Sequence, residues 1–175
     1  QVSAQEVAVV GIVWGEGFAR LFTELGCKGT VAGSQTMNPS TGELVDAATS
    51  TGAQHVIILP NNSNILPAAQ QATSMAESKV YVIPSTSLPQ GVAAMLAFNP
   101  EESLEHNLEA MGKALDTVKT IEVTRAVRDA NIAGFKIGQG QLMGLLEGQV
   151  TAIGNSPHIV LAETLQKAGA LAGHL

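Results

Sequence analysis

Four short segments concentrate the side chains that could hold a ligand: Trp14–Gly17, Ser34–Ser40, Pro60–Asn64 and Pro84–Gly91. Their functional groups are amides and hydroxyls, on Gln35, Thr36, Asn38, Ser40, Asn61, Asn62, Asn64, Ser85, Thr86 and Gln90. Neutral groups of this kind suit a carboxylate, a phosphate or the backbone of a partner. They do not suit proton transfer. Glu16 is the only ionisable side chain in the four segments, whereas acid–base catalysis needs a titratable group within hydrogen-bond reach, and phosphoryl transfer needs carboxylates for its magnesium ions. No residue of the chain is therefore assigned as catalytic. The alternative for each position is a turn or a cap, roles in which Asn, Ser, Thr and Pro excel.

Other motifs fail on inspection. Gly15-Glu16-Gly17-Phe18-Ala19-Arg20 places Arg20 where a dinucleotide fingerprint needs its third glycine, and no phosphate-binding Gly-x-x-x-x-Gly-Lys-Ser/Thr run is present. Gly-x-Ser-x-Gly is absent as well. His55, His106, His158 and His174 show no metal-ligand spacing and read as structural or solvated residues. The one cysteine, Cys27, can form neither a disulfide within the chain nor a cysteine metal cluster. It reads as a small core or edge residue in a protein of the reducing cytoplasm.

The elements that must position these segments follow from apolar patterning. Ala8–Val13, Val56–Leu59 and Val80–Ile83 are nearly continuous apolar runs, and Thr30–Ala32 is a shorter one. Continuous rather than alternating apolarity predicts strands covered on both faces, as in a parallel sheet. Between them lie helical stripes: Phe18, Leu21, Phe22 and Leu25, ended by Gly26; then Leu44, Val45 and Ala48; then Ile65, Ala68, Ala69, Ala72 and Met75. Ser40 and Glu43 form a capping box, with Asn38-Pro39 an alternative start, and Asn61 or Asn62 can cap the third helix. In an open α/β sheet of this order all four polar segments fall at the carboxyl edge, where ligands bind. Several of them open helices, whose free N–H groups face that edge.

The second half changes character. Gln90–Phe98 is a short helix, and Pro100 and Ser103 open a longer one to about Val118. Ile121–Val127 alternates and reads as a half-buried strand on which Arg125 and Arg128 point to opposite faces. Glu147-Gly148-Gln149 turns between Leu142–Leu146 and Val150–Ile153, and Asn155-Ser156-Pro157 starts a last helix. The fold class is α/β: an open, mostly parallel sheet flanked by helices over residues 1–99, then an α+β segment with antiparallel strands over residues 100–175.

With 175 residues, 45% of them apolar and 14% charged, the chain can bury a sizeable core. Its apolar runs fall far short of the roughly 18 residues that span a bilayer, and Gln1-Val2-Ser3 does not open a signal peptide. The chain does not begin with methionine and is expected to be a piece of a longer protein. A net charge of −6 argues against nucleic acid and anionic membranes. Five of the nine basic residues nevertheless lie between Lys113 and Lys136, as a solvated face or a docking patch.

Gln35-Thr36-Met37-Asn38-Pro39-Ser40, Ile58-Leu59-Pro60-Asn61-Asn62-Ser63-Asn64-Ile65, Ile83-Pro84-Ser85-Thr86-Ser87-Leu88-Pro89-Gln90-Gly91 and Ala126-Val127-Arg128-Asp129 resemble, in this order, segments of bacterial fatty acid kinases. These are also called dihydroxyacetone-kinase-like or "DAK phosphatase" proteins. The resemblance covers nearly the whole chain and points to the family's C-terminal domain. It implies a fold like that of DegV-type fatty-acid-binding proteins and of the dihydroxyacetone-binding kinase subunit. It also implies a non-catalytic role in phospholipid synthesis: docking the DegV-type protein that carries the fatty acid, while a separate N-terminal domain binds ATP and magnesium. The implied partners are that carrier and the N-terminal and middle domains of the same chain; a homodimer is compatible with them. The family's nucleotide-binding carboxylates, its middle-domain His/Cys site and the substrate-capturing histidine of the dihydroxyacetone-binding protein have no counterpart here. The family's C-terminal region runs on past the position of Leu175, so a final sheet segment is expected to be missing. Arg125 and Arg128 are the candidates for a charged docking contact. A carboxylate- or phosphate-binding domain in its own right, using Thr36, Asn38, Asn61, Ser85 and Thr86, is the second reading. A hydrolase or phosphatase is the third.

Overall fold

The computed structural model describes residues 7–34, 36–77 and 79–172, and the chain divides between Val118 and Lys119 into two compact units. The first is built on four parallel strands: β1 (Val7–Val13), β2 (Gly29–Ala32), β3 (His55–Leu59) and β4 (Lys79–Val82), in the order β2-β1-β3-β4. The crossovers carry α1 (Glu16–Glu24), α2 (Thr41–Ser50) and α3 (Leu66–Met75), followed by α4 (Leu88–Ala97) and α5 (Leu104–Leu115).

The continuous apolarity of β1 has the expected cause. Val9 and Val13 join one core, with Phe22, Met95, Met111 and Leu115 from α1, α4 and α5. Ala8, Val10 and Ile12 join the other, with Leu44, Ala48, Ala69 and Ala72 from α2 and α3. Both faces of the sheet are thus covered, and a strand with an apolar residue at every position loses nothing to water. At Gly11 an added Cβ would lie 2.9 Å from Phe22 Cδ1, so the glycine admits that ring against the strand. Of the stripe on α1, only Phe22 is fully buried, and Phe18 remains 38% exposed. The helix ends as its sequence predicts. Gly26 takes φ 111°, its N–H donates to Thr23 O, and Cys27 N–H donates to Phe22 O, the paired bonds of a Schellman stop.

Helix starts show one agreement and one correction. Ser40 caps α2: its Oγ accepts from Glu43 N–H at 3.2 Å and its own N–H donates to Glu43 Oε2 at 2.7 Å. α3 takes no asparagine cap; Ile65 is its N-cap, and Asn62 Oδ1 closes the preceding turn by accepting from Asn64 N–H. α4 starts at Leu88, because Ser87 caps it through Gln90 N–H and Pro89 fits the first turn. α5, grouped by sequence with the strands that follow, belongs to the first unit and packs on α4.

The second unit holds β5 (Ile121–Arg125), a hairpin of β6 (Ala130–Ile132) and β7 (Phe135–Ile137), then β8 (Leu142–Leu146), β9 (Gln149–Gly154) and α6 (Pro157–Ala172). An antiparallel sheet runs β5-β8-β9, and β6-β7 form a separate ladder. β5 ends at Arg125, two residues before the expected end, and is an exposed edge rather than a half-buried strand. Glu147 and Gly148 form the two-residue turn between β8 and β9, with φ 52° and 79°. The β6–β7 hairpin, missed in the sequence, turns on Ala133 and Gly134 at φ 51° and 82°. Both turns have the positive φ pair that suits two-residue hairpins. α6 crosses Gly144 so closely that a Cβ there would lie 1.8 Å from Thr164 Oγ1.

Candidate functional site

Because the four strands are parallel, the loops after them share the carboxyl edge. The chain runs outward from β1 to β2, returns across β1 to β3, and continues to β4. The switch point therefore lies between β1 and β3, where an open α/β sheet offers a crevice to ligands. Asn61 sits there, in the left-handed region at φ 57°. Its Nδ2 donates across the gap to Ile12 O at 2.9 Å. Its N–H donates to Ser85 Oγ at 3.0 Å, and Ser85 Oγ–H returns a bond to Asn61 Oδ1 at 2.8 Å. Asn61 and Ser85 are both fully buried. α4 presses on this pair through Gly91, where a Cβ would lie 2.2 Å from Asn61 Oδ1. Three strand ends are thus tied together by two polar side chains, and the crevice is filled by protein.

The other polar residues are engaged more locally. Gln90 Oε1 accepts from Thr86 N–H at 2.7 Å and from Thr86 Oγ1 at 3.0 Å. Ser40 and Asn62 serve as the cap and turn residues already described. Thr36 N–H donates to Ser34 Oγ, which Met37 N–H also reaches at 2.8 Å. Thr36, Asn38 and Asn64 are exposed, and Gln35 lies outside the described residues. The structure pairs Asn61 with Ser85 and Thr86 with Gln90; Thr36 bonds within its own loop. The surface of this edge also carries an apolar residue that its polar neighbours mask in the sequence, Met37, which is 70% exposed.

Ionisable side chains gather elsewhere. At the amino end of the sheet a depression of about 430 Å³ is lined by His55, Lys79, Tyr81, Glu102, Ser103 and Glu105 among others. His55 opens β3 as expected, and its Nδ1 has no hydrogen-bond partner among the described residues. Beside it opens a more apolar depression of about 680 Å³, lined by Leu25, Cys27 and Phe98 among others. Cys27 is a core residue. Burial pushes its thiol from 9.0 up to about 12, and Sγ lies 3.5 Å from Met95 Sδ. His106 and His158 are exposed on helices, and His174 lies outside the described residues. Among the described residues, no group of three His, Cys, Asp or Glu side chains could hold a metal ion. No helix there is long and apolar enough to cross a membrane.

The two arginines differ. Arg125, the last residue of β5, donates from Nη1 to Gly140 O at 2.6 Å. Arg128 lies beyond the strand, in the bend before β6, so the strand alternation that would point the two oppositely does not extend to it. That bend is held at its base. Ala126 N–H donates to Gln141 O and Gly140 N–H donates to Ala126 O, each at 2.8 Å, and Asp129 Oδ1 accepts from Gln139 N–H at 2.7 Å. Val127 and Arg128 project from it, Val127 at 84% exposure. Of the basic stretch, Lys113 stands apart on α5, paired with Glu109 at 2.6 Å.

Sheet order, loop placement and the antiparallel second unit define an α/β domain with a ligand-type switch point that its own side chains fill. Residues 7–174 match the family model for the FakA-like C-terminal domain, which comes from one of the subunits of fatty acid kinase, and the chain belongs to that family. It is 47% identical over 152 residues to protein YloV of Bacillus subtilis, covering 87% of this chain and 27% of that protein. An uncharacterised protein of Staphylococcus epidermidis is 43% identical over 156 residues, covering 89% of this chain and 28% of its own. One of Staphylococcus aureus is 36% identical over 162 residues, covering 93% and 30%. The chain thus spans under a third of the length of these curated relatives.

Proposed function

We propose that this chain is a non-catalytic module of a fatty acid kinase that docks the DegV-type protein carrying the fatty acid. The acyl carboxylate would be phosphorylated at a separate domain of the parent chain, which binds ATP and magnesium. The observation that carries this reading is the Asn61–Ser85 tie. An α/β sheet that binds a small molecule keeps its switch-point crevice open and lined with available donors. Here the two most buried polar side chains of that edge are bonded to each other and to Ile12 O. Occupying the crevice would mean breaking buried hydrogen bonds, each leaving groups that cost about 1–3 kcal/mol when unpaired. A surface role agrees better with this arrangement than a receptor role, and membership of a FakA-like family agrees with action beside another component of the kinase. The assay is calorimetric titration of the chain with a fatty-acid-loaded DegV-type carrier, with free fatty acid and ATP as parallel titrants. Heat from the loaded carrier alone is the expected result. Heat from free fatty acid without any from the carrier would instead make the domain a ligand holder.

A further inference from the structure

The exposed bend between β5 and β6 combines features that do not occur together elsewhere among the described residues of the second unit. Val127 is the most exposed of the large exposed apolar residues described there, at 84%, against 45% for Ile132 on the neighbouring hairpin and 59% for Ile159 on α6. An isolated exposed valine is ordinary on a protein surface. This one stands beside an exposed arginine on a loop whose flanks are fixed. Backbone bonds join Ala126 to Gly140 and Gln141, Asp129 accepts from Gln139 N–H, and the Arg125 guanidinium closes on Gly140 O. Asp129, the bend's own carboxylate, is spent on that bond and is poorly placed to neutralise Arg128. Next to the bend lies an open depression of about 490 Å³ lined by Asp129, Ala130, Asn131, Lys136, Ile137 and Gly138. Lys136 adds a second exposed cation there.

We infer that Val127 and Arg128 form a preorganised docking knob for the carrier, and that the carrier's matching surface is acidic with an apolar recess. This rests on the docking reading above and gives it a location and a chemistry. A fixed loop loses little conformational entropy on binding, so its contacts turn more fully into affinity. An apolar side chain seated in a recess supplies affinity, while Arg128 and Lys136 select a carboxylate-bearing partner and quicken encounter. Arg125 acts differently from Arg128. It holds the bend from beneath, and its guanidinium is already bonded to Gly140 O.

The test is titration of the 175-residue chain with the fatty-acid-loaded DegV-type carrier at several salt concentrations. Val127→Asp, Arg128→Glu and, as a control on another exposed apolar residue, Ile159→Asp would be compared with the unaltered chain. Expected are losses of at least tenfold for Val127→Asp and about tenfold for Arg128→Glu, a flatter salt dependence for Arg128→Glu, and unchanged affinity for Ile159→Asp. If the unaltered chain binds and Val127→Asp and Arg128→Glu bind equally well, the knob is wrong while docking stands. If Ile159→Asp weakens binding as much as Val127→Asp, the contact is not centred on the bend and the inference fails. If the unaltered chain gives no heat with the loaded carrier, the docking reading falls and takes this inference with it.

Discussion

The loops at the carboxyl edge of the first unit and the bend at Ala126–Asp129 in the second are held in opposite ways. At the carboxyl edge, side chains do the holding. Asn61 and Ser85 tie three loops, Gln90 fastens Thr86, and Ser40 caps α2. Polar groups used so are consumed. In the second unit most of the holding is done by backbone, with Asp129 and Arg125 assisting at the flanks. That leaves the side chains of Val127 and Arg128 free to project. A residue's type therefore says less about its availability than the way its loop is anchored, because a buried polar group must be paired and a side chain that pairs it is no longer on offer.

The contrast can be broken or sharpened by mutation. The largest effect is expected from Asn61→Ala, which strands Ile12 O and the Ser85 hydroxyl: a loss of about 3 kcal/mol in urea unfolding. Gly91→Ala should cost about 1–3 kcal/mol through its clash with Asn61 Oδ1. In the double variant with Asn61→Ala most of that second cost should vanish, so additive losses would show that the pair does not act as the tie described here. Gly144→Ala should destabilise the second unit by a similar amount, seen by hydrogen exchange as faster exchange in β8 and β9 with β1 and β3 unchanged. Ser40→Ala should cost about 1 kcal/mol. Val127→Asp and Arg128→Glu should change stability by under about 0.5 kcal/mol; a larger loss would mean that the bend is structural and would erase the contrast. pH gives the gentlest probe. Ser40 N–H and Oγ hold Glu43 below its ordinary value of 4.5. A depressed carboxylate stabilises the fold above its unfolded value, and that contribution is lost as pH falls through the lower folded value. Glu43→Gln should remove this part of the acid dependence of the urea midpoint.

Much of the fold was legible because its signals are local. The doubly covered strands, the Gly26 stop, the Ser40–Glu43 cap and the Glu147-Gly148 turn each follow from a few neighbouring residues. The β6–β7 hairpin was not, because Ala133-Gly134 puts a non-glycine residue at positive φ where the usual signal is Asn-Gly or Asp-Gly. The end of β5 was overrun because alternation continues through Ala126 and Val127 after pairing with β8 has stopped. At the site, sequence located the polar edge but not its use. Asn61 and Ser85 are 24 residues apart, and nothing in either neighbourhood says that they meet. The one hint was Asn61 itself, a residue tolerant of the left-handed backbone it adopts. Arg125 and Arg128 were named together for their charge; only the position of Gly140 O separates them.

Cys27 has a practical consequence. It is the only thiol in the chain, and burial holds it protonated up to about pH 12. Thiol reagents attack the thiolate, so at neutral pH the native protein should be nearly inert to maleimides and iodoacetamide. A cysteine introduced at an exposed position such as Lys136 could then be labelled alone, with no native residue removed first. A fluorophore or spin label placed there would report partner approach from a single, known point on the surface.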